Sequence, residues 1–181
     1  MAILVTHISA AVGALTWMTV EWVKTGKPTV VGIATGMVAG LATITPASGT
    51  VGPQGALLIG LMAGLICFYA TQMIKGFFKI DDSLDVFPVH GVGGILGILM
   101  LAFIGKPEGF LGAGAAGFDP SVFDQFMIQL QGVVVICLWT LVFSWIALKI
   151  TSLMTDLRVG DESEHEGLDL TEHNESGYHT S

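Results

Sequence analysis

A single histidine, His90, lies inside an otherwise uncharged apolar run, Val86-Phe-Pro-Val-His-Gly-Val-Gly-Gly-Ile-Leu-Gly-Ile-Leu-Met-Leu-Ala-Phe-Ile104. An ionisable group in lipid is costly, so its first reading is a solute pathway or a proton relay. Neutral imidazole donates a hydrogen bond from one ring nitrogen and accepts at the other, which suits a small polar solute that does both. On a regular helix Val86, His90, Gly93, Gly94 and Gly97 share one face. The ring is then flanked by small and apolar groups in a dry pocket, which favours its neutral form. The competing reading is a structural histidine bonded to a neighbouring helix.

Asp81, Asp82 and Asp85 precede this run, and Asp85 is placed to cap its first amides, with Pro88 tolerated in the first turn. Three acids in five residues exceed what one cap requires, which leaves open a second role in fixing neighbouring helix ends. None is read as catalytic. His7 has Thr6, Ser9 and Thr16 as partners in reach and reads as an interfacial or packing residue. His165, His173 and His179 fit no metal-ligand spacing and sit in a polar segment.

Cys67 and Cys137 fall within apolar runs and match no zinc or haem motif. The spans hold no HExxH motif and no Gly-x-Ser-x-Gly elbow. A haem or quinone bundle needs facing axial ligands, and His7 lies toward the opposite face from His90. No enzyme activity, cofactor, metal or nucleic-acid partner is expected.

The elements that must hold His90 are set by composition. The chain has 181 residues, 52% hydrophobic and only 12% charged, too apolar for a soluble domain of this length. The fold class is an all-α polytopic membrane protein in the lipid bilayer. A span takes about 20 apolar residues, and five segments qualify, near 3–23, 29–44, 56–74, 86–104 and 122–155. The first 20 residues hold no Lys or Arg and continue apolar through Val23, so the first segment is a span rather than a signal peptide. The last is so long that it must tilt, kink or leave the membrane.

Residues 1–158 read as the membrane domain and 159–181 as a tail, whose seven acids account for all but one of the net charge of -8. With alternating spans, Lys24, Lys27, Lys75, Lys79, Lys149 and Arg158 fall on one side and Lys106 on the other. That bias puts the first side, and the tail, in the cytoplasm. Met1 then lies at the outer face with no signal to carry it there, so further helices upstream are expected.

Small residues recur at four-residue spacing: Gly32, Gly36 and Gly40; Ala56, Gly60 and Gly64; Gly93 and Gly97. In lipid such rows let helix backbones approach closely. Close packing is the expected role, and it is compatible with a narrow solute slot between the helices.

The run Asp81-Asp-Ser-Leu-Asp-Val-Phe-Pro-Val-His-Gly-Val-Gly-Gly-Ile-Leu-Gly resembles the signature of the ammonium transporter (Amt/Rh) family. The resemblance extends over Gly32 to Pro46, Gly55 to Gly64, Leu157-Arg-Val, and Glu166-Gly-Leu-Asp169. It implies the last five helices of an eleven-helix fold built from inverted five-helix repeats, with a cytoplasmic tail, in the plasma (inner) membrane. His90 corresponds to the second histidine of the family's twin-histidine pore, Val86 to an apolar pore-lining position, and Thr45 to a threonine near the outer side. The substrate implied is ammonium or ammonia, the assembly a homotrimer, and a PII-type regulator is a partner for the tail. The alternative is a non-conducting membrane ammonium sensor or regulatory subunit with the same fold.

Overall fold

The protein is described by a computed structural model covering residues 1–105 and 121–176; Lys106 and His179, used in the sequence reading, lie outside the described residues. Five helices are long and apolar enough to cross a membrane: Ala2–Thr25, Val30–Ala47, Pro53–Phe77, Phe87–Ile104 and Val122–Ser152. Helix α1 is Ala2–Thr25, α2 Val30–Ile44 with a 3₁₀ turn Thr45–Ala47, and α3 Pro53–Gln72 with a π-helical turn Met73–Phe77. A second π-helical turn, Phe87–Val92, opens α4, Gly93–Ile104; then follow α5, Val122–Ser152, and two short helices, α6, Asp161–Glu166, and α7, Leu168–Thr171. No strand occurs among the described residues, so the all-α membrane class stands. The chain forms two compact units, Met1–Val134 and Val135–Ser181.

In the first unit the α1–α2 connection shows why the chain turns where it does. Gly26 takes the left-handed conformation (φ 83°) and its amide bonds the Trp22 carbonyl, ending α1. Thr29 starts α2 by accepting the Gly32 amide at 2.9 Å. The Glu21 carboxylate accepts the Thr29 amide at 3.1 Å and its hydroxyl at 2.9 Å, tying the end of α1 to the start of α2.

Helices α1 to α4 then meet through residues with little or no side chain. A Cβ on Gly36 would collide with Cβ of Trp17, one on Gly40 with the Ser9 carbonyl, and one on Gly97 with the Thr43 carbonyl. Gly60 and Gly64 face Ser9, Val12 and Thr16 of α1. The Ser9 hydroxyl donates to the Gly40 carbonyl at 2.9 Å in the buried interior. Two apolar clusters fill the spaces between: Val5, Ile44, Val51, Ile59, Leu101 and Ile104 in one, and Trp17, Ala39, Cys67, Phe68 and Val89 in the other. Trp17 and Phe68 make an edge-to-face contact at 5.3 Å.

Helix α5 is one helix of 31 residues, roughly 46 Å at 1.5 Å per residue. Gln125 is its buried residue, and Cys137 is exposed. In the second unit Trp139 stacks on Phe143 at 4.1 Å.

These contacts yield a paired expectation. Gly97→Ala must displace the Thr43 carbonyl, and should destabilise the bundle by about 1–3 kcal/mol, the usual cost of overpacking. Gly132→Ala, on α5 with open space around it, should leave stability unchanged or raise it by up to about 1 kcal/mol. Thermal unfolding of both variants in detergent checks the pair, and equal midpoints would contradict the packing described.

Candidate functional site

His90 belongs to the π-helical turn that opens α4. The two residues before it, Pro88 and Val89, are buried, and Val89 packs with Trp17, Ala39, Cys67 and Phe68. Anchoring these neighbours inward turns His90 outward, where it is exposed. It lines an open groove of about 330 Å³ with Val30, Val31, Ala34, Thr35, Val38, Leu84 and Val89. For scale, one water occupies about 30 Å³ of liquid. The Thr35 hydroxyl donates to the Val31 carbonyl at 2.9 Å, inside its own helix. The imidazole is thus the principal polar group of an apolar wall.

Two sequence expectations change here. The regular face proposed for Val86, His90, Gly93, Gly94 and Gly97 is divided. Gly93 and Gly97 are buried, Gly93 beside the Thr43 hydroxyl and Cys67 thiol and Gly97 beside the Thr43 carbonyl, while Val86 and His90 are exposed. The cause is the π-helical turn, whose i→i+5 bonding shifts the register of the residues before it against those after it. The dry pocket is an open groove: these helices wall it without enclosing it. His90 stands in the first turn of its span, which begins at Phe87.

The acids before α4 also take different parts from those expected. The cap is made by Asp82, whose two carboxylate oxygens accept the amides of Val86 at 2.9 Å and Phe87 at 2.8 Å. Asp85 adopts a left-handed backbone (φ 56°) and its carboxylate lies 2.7 Å from the Lys75 ammonium at the end of α3. Asp81 accepts from the Ser83 hydroxyl at 3.3 Å. The second role left open for these acids, joining helix ends, falls to Asp85.

Val86 is half exposed and is not among the residues lining the groove. Thr45 lies at the far end of α2, its hydroxyl donating to the Leu41 carbonyl at 2.7 Å, so the structure does not bring it to His90. His7 is exposed on α1. Sequence reasoning missed Glu21 and Lys75. The signal for Glu21 was an acid near a helix C-terminus, where it opposes the helix dipole. Lys75 carried no comparable misfit, since a cation is welcome there.

In the second unit Arg158 grips Glu164 with two hydrogen bonds, Nε to Oε1 at 2.7 Å and Nη2 to Oε2 at 2.8 Å. The guanidinium holds the Glu164 carboxyl below the usual carboxylate range. His165 Nδ1 lies 2.8 Å from the Asp161 carbonyl oxygen. No group of acids, histidines and cysteines among the described residues is arranged to hold a metal ion.

Five membrane-length helices, four of them meeting through glycine contacts, with one imidazole on an open apolar groove, define an integral membrane protein of the helical-bundle class. Residues 1–178 match the Ammonium Transporter Family, and the chain belongs to it. An ammonium transporter of Archaeoglobus fulgidus is 39% identical over 178 residues, which cover 98% of this chain and 44% of that protein. A solved sensor Amt protein superposes with a TM-score of 0.83 at 29% identity, over 95% of this chain and 41% of its own. Candida albicans Mep2 gives 0.73 at 32% identity, over 90% and 37%. The chain spans less than half the length of the curated relatives it matches.

Two outcomes follow from the site. Asp82→Ala removes a double cap and should cost about 1–2 kcal/mol, read as faster amide exchange at Val86 and Phe87, whereas Asp81→Ala should leave these amides unchanged. For the tail, the Arg158 contact stabilises the form with Glu164 ionised. Its contribution is present above the ordinary glutamate value of about 4.3 and is lost as pH falls through the lower folded value. Amide protection across α6, taken relative to the unstructured exchange rate at each pH, should therefore stay flat from about pH 7 to 5 and fall below about pH 4, and Glu164→Gln should abolish that dependence.

Proposed function

We propose that this chain takes part in moving ammonium or ammonia across a membrane, with His90 as its principal transport residue. The observation that carries the proposal is His90 standing on an open apolar groove in a member of the Ammonium Transporter Family. Deprotonating an ammonium near pH 7, by analogy with lysine at about 10.4, costs about three units or roughly 4 kcal/mol. Carrying the ion itself through a dry passage costs at least several kcal/mol in lost hydration. Neutral ammonia is the cheaper passenger, and an imidazole that both donates and accepts guides it.

In this reading the chain supplies the last five of eleven helices, and the opposing repeat closes the groove against His90. Val86 and Thr45 are further pore positions, carried by resemblance. Residues 1–158 form the membrane domain, in the plasma (inner) membrane, and 159–181 a cytoplasmic tail that contacts neighbouring subunits of a trimer and a PII-type regulator. The fold alone does not divide transport from sensing, since a solved sensor Amt protein shares it. The curated relatives are named as transporters, which favours transport.

The test is the ammonia-driven pH change in liposomes holding this chain. Flux should exceed that of empty vesicles and fall to the empty-vesicle rate in His90→Ala. Flux that survives His90→Ala would overturn the role of His90, and wild-type flux equal to empty vesicles would favour dependence on the opposing repeat or a sensing role.

A further inference from the structure

We infer that Lys75 is a positioning residue for His90, acting from the end of α3 through Asp85. Asp85 holds a left-handed backbone (φ 56°), unusual for a residue with a Cβ and tolerated by a short polar side chain. Its side chain is 16% exposed, and the charged neighbour of its Oδ1 is the Lys75 ammonium at 2.7 Å. That oxygen is shielded from solvent and takes no aligned hydrogen bond, so the contact is one of charge.

What Asp85 holds is the turn that carries His90. The Asp85 carbonyl accepts the Val89 amide at 3.0 Å, and the Asp85 amide bonds the Asp82 carbonyl at 3.2 Å. Asp82 in turn receives the amides of Val86 and Phe87 on its carboxylate. The residue before His90 is therefore fixed to the Asp85 backbone, and that backbone is fixed to α3 by one ion pair. Leu84, next to Asp85, is itself a wall of the groove. Lys75 lies in the π-helical turn Met73–Phe77, so a wide turn at the end of one helix is clamped to a wide turn at the start of another.

The consequence for transport rests on the function proposed above; the mechanical link from Lys75 to His90 does not. Two measurements on the full chain in lipid vesicles separate them. Hydrogen–deuterium exchange over residues 84–92 should quicken at least threefold in Lys75→Met, which keeps the stem and loses the charge. It should do the same in Asp85→Asn, which keeps the left-handed tolerance, and stay at the wild-type rate in Lys75→Arg. Exchange in the α1–α2 contact should be unchanged in all three, showing that the bundle is intact. Ammonia-driven flux should lose maximal rate severalfold in Lys75→Met with little change in half-saturation, and recover in Lys75→Arg. Unchanged exchange over 84–92 in Lys75→Met would overturn the inference. Faster exchange with no flux from the wild-type chain would uphold the positioning link and count against transport by this chain.

Discussion

The structure depends on four helix backbones coming together where no side chain intervenes. Lipid gives apolar side chains no reason to leave it, so helices in a membrane associate by close van der Waals contact and a few buried hydrogen bonds. Gly40 against the Ser9 carbonyl and Gly97 against the Thr43 carbonyl are such contacts, and the Ser9 hydroxyl bonded to Gly40 fixes one of them. Because each Cβ at these positions would meet backbone rather than a flexible side-chain end, the register of α1, α2 and α4 is set in steps, not continuously. The placing of His90 follows from that register: Gly93 and Gly97 lock α4 against α2, and the turn before them must deliver Val89 inward and His90 to the groove.

That delivery explains the wide turn. Pro88 offers no amide, and the buried positions Pro88, Val89, Gly93 and Gly97 do not fall on one stripe with His90. Regular α geometry from Val86 onward would bring His90 onto the buried face with Gly93 and Gly97. One i→i+5 turn moves it off that face while both glycines stay in contact. The neighbouring helix end faces a similar problem, since α3 also passes through a π-helical turn before the chain doubles back. Acids supply what the backbone then lacks: Asp82 satisfies two free amides, and Asp85 ties the turn to Lys75.

The helices were legible in the sequence because their signals are long. Five apolar stretches, a Gly-Lys-Pro break after α1 and spaced glycines give number and order without any knowledge of packing, although α3 starts at Pro53 and α5 ends at Ser152 rather than at the limits expected. His90 was legible by its chemical misfit in an apolar run. Its face was not, because helical spacing assumes one geometry, and a π-helical turn leaves no mark in hydrophobic periodicity. The choice of Asp82 over Asp85 as cap was hidden for a related reason. Capping rules place the accepting side chain next to the first helical residue, whereas a left-handed Asp85 turns its own side chain aside and lets a residue three positions earlier reach in.

The open side of the groove has an energetic meaning. Buried in hydrocarbon with no partner, a polar group costs roughly 2–7 kcal/mol, and a charged imidazole costs more. His90 shares its surface with Val30, Val31, Val38 and Leu84, and the one other polar side chain of that wall, Thr35, spends its hydroxyl proton on the Val31 carbonyl of its own helix. A ring so placed is stable in a membrane only if something that can hydrogen-bond stands opposite, whether a solute or a second polar side chain. Neither is supplied by the helices that wall the groove, so the partner must come from outside them. The same desolvation that makes His90 costly in isolation then makes each hydrogen bond to it stronger, and a small neutral solute that donates and accepts is what such a ring retains in preference to an ion.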